Sequence, residues 1–574
     1  MLSLVAARAQ TGTNAYIQHN LVSDVPGLAD VTDPNLVDPW GMSFSTTSPF
    51  WVNNHGKGNA TIYTNSNTTT GVTISSTVVT IPPAAGGTPP STATGQVQNS
   101  TAGFLLANGT KASFIFATED GTVSAWNGGT TATVMIDNSA AGAVYKGMAI
   151  ALNGTAPMLY LANFSNGSID VLDTTFKPTS VPGGFADPNM LPGFAPFNIW
   201  PYNNQLYVMY AKQDPTKKLD QAGVGNGVVD IFDLNGNLLQ RLTSGGPLNS
   251  PWGVAIAPAG WGAFGGAVLV GNFGDGKVNA FDPKTGNLLG TLQDTTGKAI
   301  SVQGLWAILF GNGGSAGDPH YLYFTAGIFN GTTTQHGLLG SLAPPAQVSS
   351  VENAASFATG AIAPGEILAL NGITIGPRPA VSSAVSPVGT SLGGTTVTIN
   401  GTPAPILYTQ ADQTNVIVPW GVTGTTASIV VTQGTTVSQT LSVPLAAAAP
   451  GLFTSGGSAL AWNQDGTLNS ATNAATAGSV LVLYATGLGQ TDPAGQDGTK
   501  YSSLVLAETV APVTATVGGK AATVIYAGSA PGQIAGVMQV EVVVPAGAGT
   551  GAVPVVITSS GASSVATPAP VYLK

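Results

Sequence analysis

Six times in residues 14–343 this chain repeats one short unit: a strand, a turn, a glycine, then a second alternating strand ending in an aromatic or acidic residue. The glycines opening that second strand are Gly58 in NHGKGNATIYT, Gly121 in ATEDGTVSAWN, Gly167 in ANFSNGSIDVLD, Gly227 in AGVGNGVVDIFD, Gly276 in GNFGDGKVNAFD and Gly331 in AGIFNGTTTQHG, spaced 46 to 63 residues apart. A preceding strand recurs as PWGMSF from Pro39, TAGFLLA from Thr101, KGMAIAL from Lys146, PFNIWPY from Pro196, PWGVAIA from Pro251 and QGLWAIL from Gln303. Trailing strands such as LLGTLQD and LLQRLTS complete four strands per unit, which is a propeller blade. The alternation at Val278, Asn279, Ala280 and Phe281 has the period of a strand, and the glycine before it supplies the positive φ of a tight hairpin. A lone blade buries one face poorly, so six must close into a ring. The strand AYIQHNLVSD, Ala15 to Asp24, is free to pair with the last blade and remove its exposed edge.

These residues carry a resemblance. PWGVAIAP with AVLVGNFGDGKVNAFDPKTG resembles an NHL-type propeller repeat, and YIQHNLVSDVPGLADVTDPNLVDPWGMSF resembles the opening of an uncharacterised family of secreted bacterial propellers. The resemblance covers residues 14 to 343 and implies fold rather than chemistry, since propellers host many activities.

After LAPPAQ the composition changes: residues 347–574 hold eight acids and four bases amid Ala, Thr, Val and Gly. A second duplication appears here. APGEILALNGITIGP from Ala363 parallels TAGSVLVLYATGLGQT from Thr476, and TVTINGTPAPILYT from Thr396 parallels TATVGGKAATVIYA from Thr514. QTNVIVPWGVTGTTASIVVTQG from Gln413 parallels VMQVEVVVPAGAGTGAVPVVITSSG from Val537. Short strands between Gly and Pro turns are the pattern of a β-sandwich, expected over 344–452 and again over 453–574. The copies resemble IPT/TIG-like immunoglobulin folds, and together they resemble a Solibacter-type C-terminal domain, most specifically in VSSVENAASFATGAIAPGEILALNG. That resemblance implies a shared surface or export-linked role. The expected fold class is therefore all-β: a six-bladed propeller followed by two Ig-like β-sandwiches.

Composition limits the function. The chain has 16 basic and 26 acidic residues, a net charge of −10 and only 7% charged residues, so no basic stripe is available for nucleic acid or an anionic membrane. It contains no cysteine, which excludes disulfides, thiolate metal sites and a cysteine nucleophile. No apolar run approaches the length of a transmembrane helix. MLSLVAARAQ ends in Ala7-Arg8-Ala9, the pattern of signal-peptide cleavage with a short apolar part, so residues 1–13 read as the remnant of a secretion signal or a frayed start.

Catalytic constellations are scarce. His19, His55, His320 and His336 form no paired metal spacing and read as structural or surface residues, and no nucleophile elbow or phosphate loop is present. Trp40, Trp200, Trp252 and Trp306 lie on inner-strand motifs. They are expected either to pack the channel or to stack a flat ligand at one mouth, with Asn198 and Gln303 as the polar neighbours. A metal-dependent hydrolase or lyase at the funnel, holding calcium, would draw on Asn54, Glu119, Asn163 and Asn272. Asp173, Asp233 and Asp282 precede turns and are expected to form Asx hydrogen bonds. The balance favours a non-enzymatic protein without a cofactor, secreted or at the cell surface, binding a protein or polysaccharide or associating with its own copies as a fibre or layer subunit.

Overall fold

The computed structural model describes residues 13–64, 72–329, 335–377, 380–434, 436–501, 504–564 and 569–574. Gly331 and residues 1–12 of the proposed signal remnant lie outside them. The chain divides into two compact units, Met1–Pro344 and Pro345–Lys574. Helix among the described residues amounts to two single 3-10 turns, Ser139–Ala141 and Gly262–Phe264, and no helix is long and apolar enough to cross a membrane.

The first unit is a six-bladed propeller. Blades 1 to 5 begin at inner strands Pro39–Ser43, Ala93–Gln98, Tyr145–Asn153, Phe194–Tyr202 and Pro251–Ile256 and run outward as antiparallel meanders. Blade 6 runs outward from Leu305–Phe310 through Leu322–Phe329 and Gln335–Ala343 to the N-terminal strand Ile17–Ser23, which pairs antiparallel with Gln335–Ala343. The ring thus closes with the strand that the sequence offers for it. Val22 faces Leu339 across this seam and is fully buried.

Two expected boundaries are corrected. The inner strand of blade 2 is Ala93–Gln98, ATGQVQ, and not TAGFLLA, which forms the connection before Phe114–Thr118. In blade 4 the residue of positive φ is Gly225 (φ 87°), and Gly227 already belongs to the strand. Gly58, Gly121, Gly167 and Gly276 take positive φ as expected.

In the second unit the duplication is preserved in the pairing. Ile367–Ile373 pairs with Gln413–Ile417 as Val480–Thr486 pairs with Met538–Val543. Thr395–Ile399 pairs with Thr426–Gln433 as Val513–Val517 pairs with Gly551–Ser559. Each copy has its own apolar core, one centred on Leu370, Val397, Val416 and Ile429, the other on Leu483, Val517, Val540 and Ile557.

Candidate functional site

The hub of the propeller is built by register. Each inner strand meets its neighbour at one equivalent pair, namely Pro39 with Asn54, Ala93 with Thr118, Tyr145 with Asn163, Pro196 with Tyr210, Pro251 with Asn272 and Leu305 with Ala326. A bulge follows in every blade and re-aims the next residue. That residue is Trp40, Thr94, Lys146, Phe197, Trp252 or Trp306 in blades 1 to 6. The residue after the second member of each pair is His55, Glu119, Phe164, Ala211, Phe273 or Gly327. Two rings of six positions therefore line one end of the channel.

The aromatic members fuse into a layer. Trp40 stacks on Trp306 at 3.7 Å, Trp252 meets Trp306 edge-on at 5.0 Å, Phe273 stacks on Trp306 at 4.0 Å, and Phe197 meets Trp252 edge-on at 5.0 Å. These are the offset and T-shaped geometries that ring quadrupoles favour. Close approach of the inner strands requires small residues just beyond the ring. A Cβ on Gly41 would lie 2.7 Å from the Thr94 carbonyl oxygen, and one on Gly253 2.7 Å from that of Trp306.

Into this layer runs a chain of alternating charge. Lys146, its side chain only 1% exposed, bonds Glu119 Oε1. Glu119 Oε2 lies 2.9 Å from His55 Nε2, and His55 Nδ1 lies 3.2 Å from Asp38 Oδ2. Asp38 Oδ1 accepts a bond from Trp306 Nε1 at 3.3 Å, occupying space that any side chain larger than glycine at Gly327 would claim. The Lys146 ammonium also sits 5.1 Å from the Trp40 ring, 5.5 Å from Phe164 and 5.8 Å from Phe197, within cation–π range. Only His55 and Glu119 reach solvent, each side chain about 20% exposed.

The electrostatics are self-consistent. Burial alone would lower the His55 pKa, but hydrogen bonds and charge from Asp38 and Glu119 overcome it and raise it to about 9. Burial alone would raise Glu119, but the Lys146 ammonium and the His55 bond bring it down to about 2. At neutral pH both are charged, and both imidazole nitrogens are occupied by carboxylates. His55 is therefore poorly placed to act as a general base.

Three of the four tryptophans singled out by sequence converge here; Trp200 does not. It is half-buried further along its strand, stacked on Tyr202 at 5.3 Å, and Phe197 takes blade 4's place in the layer. Asn198 donates to the Trp252 carbonyl at 2.9 Å, tying blade 4 to blade 5. Gln303 is exposed and accepts a bond from the Phe329 amide. Beyond the layer a cavity of about 70 Å³ remains, lined by residues such as Met42, Gln96, Met148, Asn198 and Trp200.

The oxygen set proposed for a cation is spread over separate blades. Asn54 Nδ2 donates to Asn59 and Thr61, Asn163 Nδ2 to Asp170, and Asn272 Nδ2 to the Pro247 carbonyl and Asp275, which leaves the Asn54 and Asn272 amide oxygens buried without a protein partner among the described residues, while Glu119 joins the hub charges. Among the described residues, no group of three or more histidine or acidic side chains is disposed to hold a metal ion. Asp173, Asp233 and Asp282 each accept backbone amide bonds from the turns that follow, as expected.

The sequence reading leaves Lys146, His55, Asp38, Phe164, Phe197 and Phe273 unconnected. Aligning Gly147 with Gly41 and Gly253 would have placed Lys146 in the register of Trp40 and Trp252, and hence inside the hub.

No protein-family model matches the chain. Uncharacterized protein R648 of Acanthamoeba polyphaga mimivirus is 32% identical over 337 residues, covering 56% of this chain and 78% of that protein. Uncharacterized protein L690 of the same virus is 31% identical over 339 residues, covering 56% and 84%. The chain belongs to their family. These relatives are viral and of unassigned activity, so they lend no support to a bacterial origin. Among solved structures, a streptogramin B lyase is similar over 58% of this chain and 99% of its own, with a TM-score of 0.31 and 13% identity. The GH93 α-L-arabinofuranosidase of Fusarium graminearum is similar over 57% and 98%, with a TM-score of 0.36 and 10% identity. Likeness at this level carries no argument about activity, and the propeller stands on its own strand pairing.

Proposed function

We propose that the protein is a non-enzymatic binding or assembly protein of the cell exterior. In this reading the propeller recognises a protein or polysaccharide, or further copies of itself, and the paired, Ig-like sandwiches serve as stalk or assembly module. The observation that carries the reading is the filled hub. Where a small-molecule site needs a concave pocket, here Trp40, Trp252, Trp306, Phe197, Phe164 and Lys146 are all buried and packed on one another. The cavity of about 70 Å³ beyond them is well below the roughly 300–1,000 Å³ typical of small-molecule sites. Low charge adds support, because weakly charged sheet surfaces approach one another with little repulsion.

Electron microscopy of the purified chain, with glycan and protein binding screens, tests the proposal. Filaments, sheets or saturable binding to a polymer are expected. A stoichiometric divalent cation in the propeller, together with hydrolase or lyase turnover abolished by Glu119→Gln, would overturn it in favour of the metal-dependent reading.

A further inference from the structure

The second unit contains a buried carboxyl with no use in the reading above. Glu366 is 1% exposed, directly before the strand Ile367–Ile373. Its Oε2 accepts the Ala363 amide at 2.7 Å and its Oε1 accepts Asn353 Nδ2 at 2.8 Å. Asn353 cannot reverse its amide, because its Oδ1 is held by the backbone amides of Ala355 and Ser356 and its Nδ2 also donates to the Ala449 carbonyl. Both carboxyl oxygens therefore face fixed donors, and neither neighbour can accept a proton from Glu366.

No described cationic side chain forms an ion pair with it. It lines a cavity of about 230 Å³ whose walls are otherwise small side chains, apolar at Ala358, Ala361, Ala446 and Ala449 and hydroxylic at Ser356 and Thr359. An ionised carboxylate held there retains free lone pairs and lacks a counter-charge, a costly state that an entering cation would relieve.

We propose that this cavity is a binding site for a primary ammonium group on a slim aliphatic chain, as in an alkylamine or a lysine side chain. The small-residue walls admit a methylene chain and the carboxylate receives the N–H donors. A quaternary ammonium offers no N–H, and a neutral alcohol offers no charge.

Saturation-transfer NMR on the full chain at pH 9 tests this, since burial pushes the Glu366 carboxyl up to about 8 and alkylammonium is still protonated there. Butylammonium is expected to bind the native chain roughly tenfold or more tightly than 1-butanol or butyltrimethylammonium, the ratio of a buried charge-assisted contact. Nα-acetyl-lysine N-methylamide, run in parallel, separates the sources. Tighter binding than butylammonium assigns the site to lysine side chains, and weaker binding assigns it to free amines. Glu366→Gln should abolish the preference for the ammonium, and Ala361→Leu, which adds bulk to the cavity wall and keeps the carboxyl, should abolish binding of all probes. Equal binding of butylammonium and 1-butanol by the native chain would refute the site, as would an undiminished ammonium preference in folded Ala361→Leu.

Discussion

Removing either partner of the Lys146–Glu119 pair should have very unequal consequences. Lys146 is enclosed by Trp40, Phe164 and Phe197, so Glu119→Gln leaves the ammonium in an apolar cage without its hydrogen-bonded carboxylate, with only the charge of Asp220 acting on it from beyond. Glu119 is brought from 4.5 to about 2, which at about 1.4 kcal/mol per unit corresponds to about 3 kcal/mol of favourable interaction at neutral pH. That agrees with the roughly 3–5 kcal/mol lost when one member of a buried pair is removed. Lys146→Met is different. It fills the same cage with an apolar chain of similar length and leaves Glu119 bonded to His55 and partly solvated, so the expected cost is about 1 kcal/mol or less. Adding Lys146→Met to Glu119→Gln should therefore restore about 2 kcal/mol, since the stranded charge is gone. Urea unfolding followed by tryptophan fluorescence is the assay, because Trp40, Trp252 and Trp306 all report on the hub. If Glu119→Gln cost less than about 1 kcal/mol, or Lys146→Met cost as much as Glu119→Gln, the account of a caged, compensated ammonium would be wrong.

The same chain sets a pH window: Glu119 stabilises fully above its unfolded pKa of 4.5 and loses this as pH falls through about 2, while His55 stabilises fully below 6.5 and loses this as pH rises through about 9. Propeller unfolding midpoints should thus decline above pH 6.5, and His55→Gln should flatten that decline. Glu366 has a raised folded pKa of about 8 against 4.5, so its contribution is intact below 4.5 and is lost as pH rises through 8. Its burial should cost the second unit about 5 kcal/mol at pH 9 relative to pH 4, read by calorimetry at the two pH values. Gly253→Ala should destabilise the propeller by about 1–3 kcal/mol, since the added methyl meets the Trp306 carbonyl oxygen at 2.7 Å and neither backbone can yield. Val22→Pro, which removes an amide from the strand closing blade 6 and a buried side chain facing Leu339, should cost roughly 3 kcal/mol or more, read as an earlier unfolding midpoint.

Blade number, ring closure by Ile17–Ser23 and the internal duplication of the second unit are all legible in the sequence, because period-2 alternation and glycine turns are local. Blade 2's inner strand is not legible, for a physical reason. Thr94 donates to the Tyr145 carbonyl, and Gln96 donates to Ser43 and the Trp51 carbonyl, so this strand buries polar side chains against its neighbours and reads as a loop. Phe104, by contrast, lies in a connection yet is fully buried, which makes TAGFLLA look like a strand. Trp200 misleads similarly. It shares a strand with Phe197, but the bulge after Pro196 decides which of the two turns into the hub, and a bulge leaves no mark in composition. His55 and Glu119 belong together only because two consecutive blades present equivalent positions to one axis, 64 residues apart in the chain.

The hub also explains why six similar blades are not interchangeable. At the inner ring, blades 1, 5 and 6 supply tryptophan, blade 4 phenylalanine, blade 3 lysine and blade 2 threonine. Lys146 of blade 3 finds its anion on blade 2, that anion finds its cation on blade 1, and His55 finds Asp38 on its own blade beside the indole of blade 6. Exchanging blade 3 with any other would place an ammonium where no carboxylate waits and leave Glu119 facing an aromatic ring. Apolar packing alone tolerates such exchanges at modest cost, whereas stranded buried charges do not. Lys146, Glu119, His55 and Asp38 therefore act as a key for blade order, one that the apolar layer around them does not by itself provide.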